Sequence, residues 1–168
     1  MMLAGCGLVL SIAAHCMALA GVPVPGGGLV WGLHIGIFVV WIPTVFIIKE
    51  AIRNSNRNEI WKIALAGCPR WMRLGVFILF VYGAINIAIT GSQKKIKMDG
   101  NTPTPSVVRA FSGNWMIFYG AGFAVLYSRI YSPQLYRGRQ CPKGHSVSQS
   151  ASFCSECGYE FSKEPEST

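Results

Sequence analysis

The chain has 168 residues, of which 51% are hydrophobic and only 13% are charged, whereas about a quarter of the residues of a soluble domain are charged. The first charged residue is Lys49, so composition excludes a soluble globular fold for most of the chain. The net charge of +8 fits the Lys/Arg bias of cytoplasmic loops better than nucleic-acid binding, which would need basic clusters with interleaved aromatic residues. We therefore expect an all-α membrane protein.

Four apolar segments have the length of membrane spans. They cover about residues 2–20, 29–48, 72–90 and 112–131. Each approaches the roughly 20 residues that a helix needs to cross the hydrocarbon core. The turn GVPVPGGG at 21–28 should join the first two spans as an antiparallel hairpin, and EIWKIALAG at 59–67 predicts a short helix at the interface. Residues 1–132 are therefore predicted to form a four-transmembrane-helix bundle.

The first apolar segment is interpreted as a retained span rather than a cleaved leader. The sequence LAGC at 3–6 resembles a lipoprotein cleavage box. Such a box needs an apolar stretch ahead of its cysteine, and only Met1 and Met2 precede this one.

The positions of Lys and Arg predict the orientation of the bundle. Segments 49–73 and 129–143 together carry ten basic residues, segment 91–111 carries four, and the first turn carries none. Because positive residues favour the cytoplasmic side, we expect both termini in the cytoplasm. The expected location is a bacterial inner membrane.

Small residues recur at helical spacing within three of the spans. The stripes are Gly28, Gly32 and Gly36; Gly75, Leu79, Gly83 and Asn86; and Gly113, Ile117, Gly120 and Ala124. Small side chains let two helix backbones approach closely in a membrane. These stripes are therefore predicted to be helix-packing faces, and the Gly32/Gly36 and Gly120/Ala124 faces are candidates for contacts between copies of the chain.

Two histidines, His15 and His34, lie inside predicted spans at equal distances from the first turn. Ionisable residues in lipid tend to mark function, and facing imidazoles can ligate haem iron. A structural role is the simpler interpretation, because His15 can bond to nearby backbone or Ser11 and because His34 points away from the Gly32/Gly36 face. A membrane redox or cofactor-binding subunit, with haem or quinone at His15 and His34, is the alternative function.

Two pairs of metal-ligating residues follow the last span. Cys141 and His145 are spaced Cys-x3-His, and Cys154 and Cys157 follow as Cys-x2-Cys after eight intervening residues. Thiolate and imidazole donors in two short turns suit tetrahedral zinc, and four protein ligands leave no open position for catalysis. A segment of about thirty residues cannot bury enough apolar surface to fold unaided. The pattern therefore predicts a structural zinc ion.

The segment CPKGHSVSQSASFCSECGYEF, residues 141–161, resembles the small zinc-ribbon modules at chain ends in many bacterial proteins. Their patterns include CPxCGxxxxxxxxFCxxCG. The resemblance implies that Cys141, Cys154 and Cys157 are ligands, with His145 nearest to the place of the missing cysteine. We accordingly expect a linker at 133–140, a zinc ribbon at 141–161 and a disordered tail at 162–168.

No catalytic motif is evident in the sequence. The predicted function is that of a non-enzymatic integral membrane protein that presents a cytosolic zinc ribbon for protein–protein contact. The expected partners are the lipid bilayer and a protein bound by the ribbon.

Overall fold

The computed structural model describes residues 1–52, 60–91, 98–99, 102–133, 139–147 and 152–161. Its helices are α1 (Met2–Leu19), α2 (Trp31–Ile52), α3 (Ile60–Ala64), α4 (Arg70–Gly91) and α5 (Pro105–Tyr131). Its short strands are β1 (Met98–Asp99), β2 (Thr102–Pro103), β3 (Arg139–Gln140) and β4 (Ser146–Val147). Strands β1 and β2 form one antiparallel pair, and β3 and β4 form another. The predicted tail at 162–168 and most of the predicted linker lie outside the described residues.

Three of the described helical segments are long and apolar enough to cross a membrane. They are Met2–Leu19, Gly27–Lys49 and Arg70–Thr90. Large apolar side chains on them point outward, and Phe38, Phe46 and Phe77 are 61%, 67% and 65% exposed. Apolar surface on this scale is rare on soluble monomers. The chain is therefore a membrane protein, and the predicted helical character of its first part is confirmed.

Helix α5 holds the bundle together, since α1, α2 and α4 all pack against it. Its Ser112, Trp115 and Ser128 side chains are fully buried. Helix α5 is not among the three segments that qualify as spans by length and apolarity. A helix surrounded by other helices can carry polar side chains that lipid would not tolerate, so low apolarity does not decide whether it crosses. The fourth span predicted at 112–131 stays a prediction.

The glycine stripes of α4 and α5 pack against each other. The contacts join Gly83 to Ile117, Gly113 to Asn86 and Gly120 to Leu79. They run in opposite order along the two helices, which are therefore antiparallel. A Cβ atom on Gly113 would lie 2.8 Å from Asn86 Nδ2, and that amide donates a hydrogen bond to the Arg109 carbonyl at 2.9 Å. The two stripes therefore pack together from Leu79 to Asn86 of α4, whereas the site of a Cβ on Gly75 has no neighbour within 4 Å.

The face formed by Gly120 and Ala124 is used within the chain. Gly120 lies against Leu79, and Ala124 is fully buried, so this face is not open for the predicted contact between copies. On α2, Gly36 lies against the hydroxyl of Tyr119, whereas the site of a Cβ on Gly32 has no neighbour within 4 Å. A contact between copies through Gly32 and Gly36 stays a prediction.

The connections around α2 match the predicted turn and short helix. Between α1 and α2 the backbone turns at Gly26 and Gly27, whose φ angles are +85° and +52°, a region that glycine enters without steric cost. A 3₁₀ turn at Gly27–Val30 then leads into α2. Helix α3, Ile60–Ala64, lies inside the predicted 59–67 segment.

Candidate metal centre

The two ligand pairs of the C-terminal segment converge on one point. One donor atom from each of Cys141, His145, Cys154 and Cys157 lies within 4.8 Å of the other three. Cys141 and Cys154 are 3% and 1% exposed, and they form a small core with Val147, against which Phe161 packs. The structure thus brings together all four residues that the sequence predicts as ligands.

Distances between the donor atoms fit a tetrahedral metal site. Cys141 Sγ lies 3.6 Å from Cys157 Sγ and 3.5 Å from His145 Nδ1, and Cys154 Sγ lies 3.7 Å from the same nitrogen. Around a tetrahedral zinc ion, bond lengths of about 2.3 Å to sulfur and 2.0 Å to nitrogen separate the ligand atoms by roughly 3.5–3.8 Å. The cluster therefore has the dimensions of a Cys3His metal site.

Two tight turns place these donors, and each depends on a glycine. Gly144 and Gly158 have φ angles of +82° and +71°, which other residues adopt only at a steric cost. Their backbone N–H groups donate to the carbonyls of Cys141 and Cys154, each at 2.8 Å. The β3–β4 pair flanks the first turn, and an isolated bridge between Phe153 and Glu160 flanks the second. Each turn therefore carries one ligand pair on a short antiparallel frame.

The surroundings of Cys141 and Cys154 favour thiolates. Burial raises the pKa of Cys141, but hydrogen bonds from the backbone of His145 and Lys143 outweigh it and lower that pKa overall. For Cys154, burial likewise raises the pKa, while backbone hydrogen bonds from Glu156 and Cys157 dominate and lower it. A thiolate is the form of cysteine that binds metals.

Cys157 behaves in the opposite way. A backbone hydrogen bond from Tyr159 lowers its pKa, but burial and the neighbouring sulfurs of Cys154 and Cys141 raise it overall. Three adjacent thiolates repel one another unless a cation compensates their charge. A metal ion would supply that charge and hold the third cysteine deprotonated.

Glu156 lies beside the histidine ligand and was not predicted from the sequence. Its Oε2 atom is 3.5 Å from His145 Nε2, on the opposite side of the ring from the sulfurs. A carboxylate at this nitrogen favours the tautomer that carries its proton on Nε2 and leaves the Nδ1 lone pair for a metal. The signal in the sequence was its position between Cys154 and Cys157.

The two histidines of the membrane helices have separate partners. His15 is 4% exposed, its Nδ1 lies 2.6 Å from Ser112 Oγ, and its Nε2 contacts the Tyr82 hydroxyl. His34 Nδ1 accepts a hydrogen bond from Trp115 Nε1 at 3.1 Å. This is the arrangement expected of structural histidines, because both nitrogens of His15 are already engaged. A haem or quinone site at this pair stays a prediction.

The partner predicted for His15 within its own helix is wrong. Ser11 donates its hydroxyl to the Gly7 carbonyl at 2.6 Å, whereas the ring of His15 reaches α4 and α5. The sequence holds no signal for this choice, since Tyr82 and Ser112 lie 67 and 97 residues away.

We expect His15→Gln to destabilise the bundle more than His34→Gln does. Hydrogen bonds between membrane helices contribute on the order of 0.6 kcal/mol each, and His15 has two side-chain partners whereas one is described for His34. Reversible unfolding in mixed micelles measures both variants. Absorption spectra recorded beside the wild type provide the control, and a visible band present in the wild type but lost in either variant would contradict a structural role.

No protein-family model matches the chain, and no curated protein or solved structure is significantly similar to it.

Proposed function

We propose that this protein is a non-enzymatic, four-span protein of the bacterial inner membrane that presents a cytosolic zinc ribbon to a protein partner. The observation that carries the proposal is the closed Cys3His cluster, whose donor atoms lie within 4.8 Å of one another, directly after a set of membrane helices. Four protein ligands complete a tetrahedral site, so the metal would be structural rather than catalytic.

Zinc is the metal that best suits these donors. Cysteine-rich sites with one histidine are typical of structural zinc, whereas calcium and magnesium take oxygen ligands. Support for a ribbon comes from the two glycine turns, the β3–β4 pair and the bridge between Phe153 and Glu160. Each ligand pair thus lies on a turn between two short antiparallel segments.

A fourth span along α5 is supported by its length and its position. Its 27 residues extend about 40 Å at 1.5 Å per residue, which is enough to cross the bilayer. Its polar side chains face protein, since Ser112 contacts His15 and Ser128 accepts a hydrogen bond from the Gly67 amide at 3.0 Å. Four alternating helices would then place both termini on the same side.

The cytosolic orientation is supported by charge. Lys49 lies near the end of α2, Arg70 and Arg73 open α4, and Arg129 lies near the end of α5. Because these helices alternate in direction, the four cations lie at one end of the bundle, whereas Arg109 lies towards the other. The positive-inside rule assigns the richer end to the cytoplasm, where cysteines stay reduced and available to a metal.

The surface for a protein partner is the apolar patch formed by Phe153 and Tyr159. Their side chains are 60% and 46% exposed, and the ring of Tyr159 packs at 5.2 Å from that of Phe161. Exposed aromatic residues on a rigid frame are typical anchors of protein interfaces. The metal would hold this patch in place rather than take part in binding.

Reporter fusions test the orientation. A reporter fused after Thr168 should read cytoplasmic, and one inserted near Asn101 should read external, because α4 and α5 would carry the connection between them across the membrane. The same reading at both positions would contradict a fourth span along α5, and an external reading after Thr168 would contradict the proposed orientation.

Site-specific photo-crosslinking tests the partner. A benzophenone amino acid at Phe153 should form a discrete protein adduct in cells, and the adduct should disappear when Cys154 and Cys157 are replaced by serine. The same probe at Tyr131, which is 60% exposed at the end of α5, is the matched control. No adduct at Phe153, or one that survives loss of the cysteines, would contradict docking by the ribbon.

A further inference from the structure

A cavity lies between α3 and the first half of α4, on the outside of the bundle. Its volume is about 360 Å³. It is lined by Trp61, Leu65, Arg73, Val76, Phe77 and Phe80. Leu65 and Val76 form a buried floor, whereas the aromatic walls Trp61, Phe77 and Phe80 are 45%, 65% and 43% exposed. The cavity is therefore an apolar recess that opens to the surroundings of the helices.

The lining has a charged end and an apolar end. Arg73, Val76, Phe77 and Phe80 follow one another at spacings that place them on a single face of α4. From Arg73 to Phe80 the helix rises about 10 Å. The ring of Trp61 packs 6.1 Å from that of Phe80 and closes the end away from the charge. The recess is thus amphipathic along its length.

Arg73 is held at its place in this recess. Its Nε–H donates to the Cys68 carbonyl at 3.1 Å, which orients the guanidinium at the mouth. A guanidinium has further N–H donors whose spacing matches a phosphate. Lys62 and Arg70 lie on the flanking segments and are exposed, and the described residues of this part of the chain, 60–91, contain no Asp or Glu. The local charge therefore favours an anion.

We propose that this recess is a binding site for an anionic phospholipid. The phosphate would lie on Arg73, and the first part of an acyl chain would run along Val76 and Phe77 towards Phe80. A phospholipid matches this order, because its charged phosphate is followed by apolar acyl chains. Since Arg73 lies at the cation-rich end of α4, the lipid would come from the leaflet on that side. The inference depends on membrane insertion of α4, and it is independent of the metal and of any protein partner.

Native mass spectrometry of the full chain in neutral detergent tests the site. Titration with phosphatidylglycerol should give one tightly bound lipid, with an affinity about ten-fold or more above that for phosphatidylcholine, because the choline cation offsets the phosphate charge that Arg73 would contact, whereas phosphatidylglycerol keeps a net negative charge. Arg73→Gln should remove this preference. Arg70→Gln, an exposed cation outside the recess, is the matched control and should reduce it by less than about three-fold.

A second pair of variants avoids the contact between Arg73 and Cys68. Phe77→Ala removes a wall and should weaken binding of both lipids, whereas Ile78→Ala, at 55% exposure outside the lining, should not. Equal losses for Arg73→Gln and Arg70→Gln, or equal affinities of the wild type for the two lipids, would overturn the proposal. Displacement of the lipid by equimolar inorganic phosphate would overturn the assignment to a phospholipid.

Discussion

Replacing Cys154 and Cys157 together by serine is expected to abolish metal binding and to unfold the C-terminal module, while the helices stay inserted. The wild-type protein should contain about one zinc ion per chain. Structural zinc contributes about 10–16 kcal/mol of apparent binding free energy to small modules. The core of this one, Cys141, Val147 and Cys154, is too small to replace that contribution. Loss of two of the four ligands therefore removes the main source of its stability.

Elemental analysis and limited proteolysis measure this effect. Metal content should fall to background, and cleavage between 141 and 161 should accelerate, with little change in helical circular dichroism. Cys6→Ser/Cys16→Ser is the matched control, because both thiols are exposed and lie outside the cluster. Absence of metal from the wild type, or its retention in the Cys154/Cys157 variant, would contradict the site.

Trp115→Ala is expected to cost the bundle the most stability of any single side-chain truncation in α5. Trp115 is fully buried in a core with Val40, Val108 and Tyr119, and its indole donates to His34. In soluble cores such a truncation costs about 3–5 kcal/mol. Because lipid is itself apolar, moving the side chain out of water contributes less to stability here than in a soluble protein. The loss of van der Waals packing contributes in both cases. We expect a loss of about 2–3 kcal/mol.

Denaturant unfolding in mixed micelles, or steric trapping in bicelles, gives the change in the free energy of unfolding. The control is Trp71→Ala, the same substitution at a side chain that is 70% exposed at the start of α4, for which we expect little change. Equal effects of the two substitutions would contradict the central packing role of α5.

The Cys/His cluster could be predicted because the sequence pattern that indicates it is local. The ligand pairs span five and four residues, and a glycine within or beside each pair allows the turn that brings its donor atoms together. Only the convergence of the two turns, 3.6 Å between Cys141 Sγ and Cys157 Sγ, needed the structure. The contact of Glu156 with His145 could also be seen only in the structure, because the sequence does not specify which way a side chain in a turn points.

The packing of α4 on α5 could be predicted for a similar reason. Glycine at helical spacing marks where a neighbouring backbone can approach, and Gly83 and Gly113 do meet α5 and α4, respectively. The sequence did not predict which helix packs against which stripe. The Gly120/Ala124 face, equally able to join two copies, packs within the chain.

Sequence by itself determined the class of the protein and the four residues of its Cys/His cluster. Apolar runs long enough to span a bilayer indicate a membrane protein. The spacing of the paired Cys and His residues indicates a cluster. Tertiary structure alone decided that α5 is central, that His15 contacts Tyr82 and Ser112, and that Trp61 of α3 lies against Phe80 of α4 at a recess that includes Arg73. These contacts join residues far apart in the chain, and their geometry depends on helix rotation and tilt, which packing sets and hydropathy does not encode.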